Sequence, residues 1–166
     1  RQIVEAAKPI LDKQIIRVLD PAIGDGELLV SLLQNLDTPK HIEVFGFDTD
    51  GEALVRAQQR LSHLFPHVSL ELQQEDFLNY VLARFDVAGT LPMFANDIPG
   101  SFDFIIANPP YVRTQIMGAN QARIMAQQFG LSGRVDLYHA FLVAMAAVLE
   151  PHGVAGIIVS NRFMTT

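Results

Sequence analysis

Residues 15–26 read Ile-Ile-Arg-Val-Leu-Asp-Pro-Ala-Ile-Gly-Asp-Gly. The apolar run Ile15–Leu19 predicts a β-strand, which ends at Asp20-Pro21 because proline cannot continue the hydrogen-bond ladder of a sheet. From Gly26 to Leu36 the apolar residues lie at positions 28, 29, 32, 33 and 36, which is the spacing of an amphipathic helix. A strand, a glycine-containing turn and a helix in this order begin a β-α-β unit.

The rest of the chain repeats this alternation. Further strands are predicted at His41–Phe47, Val68–Leu72, Phe102–Ala107 and Val154–Ser160, and further helices at Gln2–Leu11, Glu52–Leu61 and Asp136–Leu149. We expect Asp50 or Thr49 to cap the helix that starts at Glu52, and Glu150-Pro151-His152-Gly153 to close the helix that ends at Leu149. The pattern predicts an α/β fold, a doubly wound parallel sheet with helices on both faces.

Composition excludes several classes of protein. Of the 166 residues, 49% are hydrophobic and 18% are charged, which is typical of a folded domain with a full core. The longest uncharged apolar run, Leu137–Leu149, is too short to cross a bilayer. Because the chain has no cysteine, it has no disulfide, no thiolate metal site and no thiol nucleophile.

Charge is distributed unevenly along the chain. The net charge is −6, but residues 1–107 hold 8 Lys+Arg against 16 Asp+Glu, whereas residues 108–166 hold 4 against 2. A net negative charge argues against nucleic acid as a partner, since phosphate binding needs a basic surface. The stretch from 108 to 135 nevertheless carries Arg113, Arg123 and Arg134 and no acid, either as a solvated loop or as a phosphate-binding surface.

Polar residues follow the predicted strands, at the edge where open parallel sheets bind ligands. Gly24 and Gly26 allow a close approach to the backbone and are expected to expose amides at the start of a helix. Asp48 follows Gly24 by 24 residues, close to the spacing at which an acid binds ribose hydroxyls. A dinucleotide site would use the same parts, but Leu29 stands where its third glycine belongs. A tight turn without a ligand remains the alternative.

The most specific motif is Asn108-Pro109-Pro110-Tyr111 after the fourth apolar strand. With the glycine loop it resembles the class I S-adenosylmethionine-dependent methyltransferases, and specifically the adenine-N6 DNA methyltransferases of restriction-modification systems with gamma-type motif order. The resemblance covers residues 15–163. It runs through Asp20–Gly26, Phe47-Asp48, Asp76-Phe77, Phe102–Tyr111, Asp136-Leu137-Tyr138 and Val154–Phe163.

The resemblance implies a role for each residue of this motif. The Asn108 side-chain carbonyl and the Pro109 main-chain carbonyl would accept hydrogen bonds from an adenine amine, which localises the nitrogen lone pair for attack on a methyl group. Pro109 and Pro110 would stiffen the loop. Tyr111 would stack on a base extruded from the duplex.

The resemblance also implies S-adenosylmethionine as the cofactor and no metal. Asp48 would hold the ribose hydroxyls, Asp76 the adenine amine of the cofactor, and Phe77 one flank of its ring. The amides around Ala22 and Gly24, with Asp20 behind them, would frame the methionine part, and Gly26 would complete the loop. Double-stranded DNA would be the partner, with Arg113, Arg123 and Arg134 on its phosphates.

We expect residues 1–166 to form a partial catalytic domain, with a cofactor half at 1–107 and a target-base half at 108–166. In the resembling family a further cofactor motif precedes such a stretch, and the final strands and a target-recognition domain follow it. Such enzymes act in the cytoplasm of bacteria and archaea.

Two other functions remain open. Release-factor methyltransferases methylate a protein glutamine and share Asn-Pro-Pro-Tyr, because an amide nitrogen is an equally poor nucleophile. A non-enzymatic scaffold is the third reading, which the intact Asn108, Tyr111 and Asp48 disfavour. The acid-free loop between Tyr111 and Asp136 and the Ser160-Asn161-Arg162-Phe163 end favour DNA. Methylation at cytosine C5 is excluded because it needs a thiol nucleophile.

Overall fold

The computed structural model describes residues 10, 13–36, 41–84, 102–109, 127–129 and 137–159. Strands and helices alternate along these residues. The strands are β1 (Ile15–Asp20), β2 (His41–Asp48), β3 (Ser69–Gln74), β4 (Phe102–Ala107) and β5 (Leu149–Ile157). The helices are α1 (Glu27–Leu33), α2 (Gly51–Leu64), α3 (Phe77–Arg84) and α4 (Leu137–Val148).

The five strands form one parallel sheet in the order β3-β2-β1-β4-β5. The chain therefore winds outward from β1 to β3 and then returns to the other side of β1. The reversal lies between β1 and β4, and this is the point where open α/β sheets bind their ligands. The predicted doubly wound parallel sheet is confirmed.

Alternate strand residues form a core on each face of the sheet. Ile16, Val18 and Val44 pack on one face with residues of α1 and α2, whereas Leu19 and Phe47 pack on the other with residues of α3 and α4. Every residue of β4 is buried, as expected for a central strand covered on both faces. The helices thus hold the sheet from both sides.

Most predicted boundaries lie close to the observed ones, and β4 has the predicted limits. α1 is shorter than predicted, since a turn over Gln34–Asn35 follows Leu33. Asp50, and not Thr49, caps α2: its carboxylate accepts hydrogen bonds from the amides of Glu52 and Ala53. The predicted helix Gln2–Leu11 lies outside the described residues, except for the buried Ile10.

The prediction for β5 is wrong at its start. Leu149 already pairs with Phe102, and the next pair is Val154 with Phe104, so Glu150–Gly153 form a bulge inside the strand. The bulge needs a left-handed residue, and His152 has φ 71°. The four residues predicted to close α4 thus make their turn within β5. The strand ends at Ile157, and the predicted end at Ser160 lies outside the described residues.

Helix α3 was not predicted from the sequence. Asp76 caps it, since its Oδ1 accepts a hydrogen bond from the amide of Asn79 at 2.9 Å. The apolar residues Phe77, Leu78, Tyr80 and Val81 are all buried, and their helical spacing was the available signal.

Gly46 lies where β2 meets the loop after β1. An added Cβ would lie 2.7 Å from Ile23 Cδ1 and 2.8 Å from Leu72 Cδ2. We expect Gly46→Ala to lower the free energy of unfolding by about 1–3 kcal/mol, because neighbouring side chains must shift. Denaturant titration measures this. Glu71 on β3 is exposed and lies in register with Phe45, the neighbour of Gly46. Glu71→Ala is therefore the control and should change the free energy of unfolding by about 0.5 kcal/mol or less. Equal free energies of unfolding for the two variants would contradict the close packing of Ile23 and Leu72 over Gly46.

Candidate active site

The two sequence motifs meet at the carboxyl edge of the sheet. β1 and β4 are neighbours, with Val18 opposite Phe104 and Leu19 opposite Ile105. The loop of residues 20–26 follows β1, and Asn108 follows β4. The motifs are more than 80 positions apart in sequence, yet the topology brings them to adjacent strand ends at the switch point.

Glycine conformation shapes the loop after β1. Gly24 has φ 54° and Gly26 has φ 83°, both in the left-handed region that favours glycine. Nothing lies within 4 Å of an added Cβ at Gly24, so there is open space over its backbone. An added Cβ at Gly26 would contact Leu61 and Ala57 at 3.4–3.5 Å, so this glycine packs against α2.

The amides of the loop are used within the protein. Gly24 donates to Asp48 Oδ2 at 2.8 Å, and Ala22 donates to Asp20 Oδ1 at 3.1 Å. Ile23 donates to the carbonyl of Phe47, and Gly26 to that of Ile23, both at 2.9 Å. The amides of Gly24 and Gly26 themselves are therefore paired with nearby acceptors, while helix α1 has no side-chain N-cap, and the expected exposure of amides at its start stays a prediction. Contacts of Ala22 and Gly24 with a cofactor stay predictions.

Two carboxylates, those of Asp20 and Asp48, lie beside these amides. Asp20 is fully buried, and its Oδ2 accepts no hydrogen bond from any residue that the structure describes. Burial raises the pKa of Asp20 to about 7; the Ala22 amide lowers it and the charge of Asp48 raises it further. Asp48 is half-buried, and its two oxygens accept from the amides of Gly24 and Asp50, which leaves lone pairs free on both.

This polarity discriminates between ligands. A dinucleotide pyrophosphate needs N–H donors at the glycine loop, and here the amides of Ala22, Ile23, Gly24 and Gly26 already donate within the protein. Leu29, at the position of the third fingerprint glycine, is completely buried in the core. The loop fits a ligand that carries hydroxyls or a positive charge.

The end of β3 supplies Asp76 and Phe77. Asp76 is half-buried, and one of its carboxylate oxygens caps the N-terminus of α3. Phe77 is 1% exposed, and its ring packs against Phe47 at 5.6 Å and Phe141 at 6.0 Å between centroids. The ring is therefore part of the core, and its contact with a cofactor stays a prediction.

Asn108 is exposed at the end of β4, and Pro109 beside it is buried. The amide of Ile158 donates to the carbonyl of Ala107 at 2.8 Å, so the backbone just before Asn108 is tied to the residue that follows β5. Pro110, Tyr111, Arg113, Arg123 and Arg134 lie outside the described residues. The buried Phe129, from the long predicted loop, packs in the same core cluster as Phe141.

The described residues offer neither a metal centre nor a helix that could span a membrane. They contain no cluster of three or more histidine, aspartate or glutamate side chains that could hold a metal ion. None of their helices combines the length and the apolar character that a membrane span requires.

Comparison with known proteins now adds to this geometry. The sequence model of the Eco57I restriction-modification methylase family matches residues 42–166, which is most of the chain. The chain belongs to this family. The resemblance to the methyltransferases of restriction-modification systems is thereby confirmed. The match covers nearly all of β2, all of β3 to β5 and the Asn108 motif.

Two curated proteins and a solved structure are similar to the chain. The chain is 47% identical to the type II methyltransferase M.BanIII of Aneurinibacillus aneurinilyticus, over 90% of the chain and 26% of the relative. It is 24% identical to the release factor glutamine methyltransferase of Caulobacter vibrioides, over 90% of the chain and 47% of the relative. The fold matches a class I S-adenosylmethionine-dependent methyltransferase structure from Listeria monocytogenes, with a TM-score of 0.66, 19% identity and coverage of 99% and 45% of the two chains. The chain spans about a quarter of the length of M.BanIII.

Burial of Asp20 makes the free energy of unfolding of this protein depend on pH. Between about pH 4 and pH 7 the unfolded chain has released the Asp20 proton, whereas the folded protein keeps it. The folded state thus binds more protons, and this contribution to the free energy of unfolding falls as pH rises. We expect Asp20→Asn to gain stability relative to the unsubstituted protein from pH 4 to pH 8, by a few kcal/mol, about 4 at most. Urea titration at several pH values measures it; a constant difference would contradict it.

Proposed function

We propose that the protein transfers a methyl group from S-adenosylmethionine to the N6 amine of adenine in double-stranded DNA, within a restriction-modification system. The observation that carries the proposal is the meeting of two sets of acceptors at one sheet edge: Asp20 and Asp48 at the loop after β1, and Asn108 after β4. Membership of a restriction-modification methylase family supports it.

The residues after β1 and β2 fit S-adenosylmethionine. The remaining lone pairs of Asp48 would accept hydrogen bonds from ribose hydroxyls, and the Oδ2 of Asp20 would pair with the ammonium of the methionine part. Asp76 accepts from the adenine amine of the cofactor, and Phe77 borders its ring. The open space over Gly24, with Ala22 and Gly26 on either side, accommodates the ligand. When bound, the cofactor supplies a methyl group activated by its sulfonium.

Asn108 and Pro109 prepare the acceptor nitrogen. An exocyclic amine of adenine is a poor nucleophile because its lone pair is delocalised into the ring. The side-chain carbonyl of Asn108 and the main-chain carbonyl of Pro109 accept its two hydrogens and localise the lone pair. Pro110 stiffens this loop, and Tyr111 stacks on the flipped base. No thiol of these 166 residues takes part, because they include no cysteine.

DNA binding involves the part of the chain with a positive charge balance. Arg113, Arg123 and Arg134 contact phosphates, and no acid lies among them to repel the backbone. The acids are concentrated in the cofactor half, where they bind hydroxyls and a cation. A protein with this activity works in the cytoplasm of a bacterium or archaeon.

Methylation of a protein glutamine is the second candidate. The chain is similar to a release factor glutamine methyltransferase over 90% of its length, and Asn108 would hold an amide nitrogen as it would hold an amine. The greater identity to a type II methyltransferase, 47% against 24%, favours the first candidate. The substrate on which methyl appears distinguishes the two.

We expect Asn108→Ala to lower kcat by about a hundredfold or more, because one of the two acceptors for the amine is lost. The dissociation constant for S-adenosylmethionine should change by less than about threefold, since Asn108 touches only the methyl acceptor. Asn35→Ala, which removes an exposed amide just after α1, is the control and should keep full activity. The assay is transfer of labelled methyl to duplex DNA by the full-length protein, with nucleoside mass spectrometry.

The same assay tests the substrate. N6-methyldeoxyadenosine should be the only new nucleoside. A duplex with hypoxanthine in place of adenine should receive no label, since hypoxanthine lacks the amine. Equal labelling of the hypoxanthine duplex, or label on a protein alone, would contradict the proposal.

Cofactor affinity should depend on pH through Asp20. Below about pH 7 Asp20 is protonated and must lose its proton to pair with an ammonium. The dissociation constant for S-adenosylmethionine should therefore rise by up to about tenfold for each pH unit below 7. In Asp20→Asn this dependence should disappear. A pH profile that is the same in both proteins would contradict the assigned contact.

A further inference from the structure

The sheet is paired least extensively between β1 and β4. β1 pairs with β2 along its whole length, Ile15–Asp20 against His41–Gly46, and β2 pairs with β3 over a similar span. Between β1 and β4 the register covers only Val18 and Leu19 against Phe104 and Ile105. We call this junction the seam. It divides the sheet into a β1–β2–β3 half and a β4–β5 half.

The seam also divides the proposed active site. The cofactor loop is attached to the first half, through the bonds from Ile23 to the Phe47 carbonyl and from Gly24 to Asp48. Asn108 is attached to the second half, through β4 and the bond from Ile158 to Ala107. Any interaction that fixes the seam therefore sets the distance between the methyl donor and the acceptors on Asn108 and Pro109.

Asp103 makes such an interaction. It lies on β4, is 3% exposed, and is an acid in a strand that is otherwise apolar. Its Oδ2 accepts a hydrogen bond from the backbone amide of Arg17 at 2.9 Å, and its Oδ1 pairs with Lys13 Nζ at 2.6 Å. Arg17 immediately precedes Val18, the first β1 residue in register with β4. The carboxylate thus extends the seam by one position, toward the amino end of both strands.

A buried carboxylate in this place is held by its partners. A hydrogen bond from a backbone N–H to an ionised oxygen is stronger than one between neutral groups, and its geometry is narrow. Loss of the carboxylate leaves the Arg17 amide without this acceptor in a covered part of the sheet, which is unfavourable. The bond therefore resists separation of the strands and a change in their register.

We propose that Asp103 is a positioning residue: it holds β1 against β4 so that Asn108 keeps a fixed distance from the cofactor loop. This inference rests on the proposed methyl transfer. Asp103 lies five residues before Asn108 on the same buried strand, so it acts through the backbone and touches neither substrate nor cofactor. A loosened seam lowers the rate of transfer while the cofactor contacts, all on the first half, persist.

The test compares Asp103→Val with the unsubstituted full-length protein. We expect kcat for DNA methylation to fall by about tenfold or more, because precise placement of the reacting atoms is lost. The dissociation constant for S-adenosylmethionine should stay within about threefold. Hydrogen exchange resolved at Arg17 should become faster, since its amide loses the acceptor. A kcat within threefold of the unsubstituted protein, or equal losses in kcat and in cofactor affinity, would overturn the proposal.

Two further variants test whether the hydrogen bond between Arg17 and Asp103, and not a neighbouring ion pair, determines the rate. Lys13→Met removes the ion pair but keeps the bond to Arg17, and should retain kcat within about threefold. Glu43→Gln is the matched control, since it breaks the Arg17–Glu43 ion pair between β1 and β2 within one half of the sheet; it should also retain kcat. A tenfold loss in the control would overturn the special role of the seam.

Asp103→Asn keeps an oxygen that can accept a hydrogen bond from the Arg17 amide. If the valine variant does not fold, this variant tests the positioning role of Asp103. Protection of the Arg17 amide and kcat should then be retained together or lost together. A tenfold loss of kcat with full amide protection, or full kcat without protection, would overturn the inference. Failure of the proposed function looks different: the unsubstituted protein and the Glu43→Gln control would both leave DNA adenine unmethylated.

Discussion

The hydrogen bond from the Gly24 amide to Asp48 joins the loop after β1 to the end of β2, and the polarity of the site depends on it. It consumes the donor that a glycine loop usually offers to a phosphate. It requires a turn in which Gly24 has φ 54°, and so it explains why this position is glycine. With four amides of the loop paired in this way, the unused lone pairs nearest to them belong to Asp20 and Asp48. Carboxylate acceptors favour ligands that carry hydroxyls or a positive charge, as the proposed cofactor S-adenosylmethionine does.

The two halves of the sheet divide the chemistry between them. The acids of the first half explain most of the negative net charge, and in the proposed function three of them, Asp20, Asp48 and Asp76, would bind the cofactor. The second half contributes Asn108 and Pro109, which would hold the acceptor nitrogen in the proposed transfer, and the Asp103 carboxylate accepts a hydrogen bond from the Arg17 amide across the seam. Burial of both Asp20 and Asp103 is costly unless a partner is present. Asp103 has its partners within the protein, whereas Oδ2 of Asp20 accepts no hydrogen bond from any residue that the structure describes.

The sequence predicted the sheet well because its strands are continuous apolar runs between clear stops. Phe102–Ala107 ends at two prolines, and its limits were predicted correctly. The bulge in β5 could not be predicted, because the pairing of Leu149 with Phe102 depends on a strand far away in sequence. The same holds for the loop amides: the 24-residue spacing pointed to Asp48 as a ligand group but could not show that it accepts from Gly24. An acid within an apolar strand was a visible signal for Asp103, whose partners only the fold reveals.

The central claim is that the loop after β1 presents acceptors to a cationic, hydroxyl-bearing cofactor. Calorimetric titration of the full-length protein with S-adenosylmethionine and, in parallel, with the nicotinamide dinucleotide NAD tests it most directly. We expect saturable binding of S-adenosylmethionine and no heat of binding from NAD at the same concentrations. Binding of NAD with equal affinity, or its displacement of S-adenosylmethionine, would contradict the account.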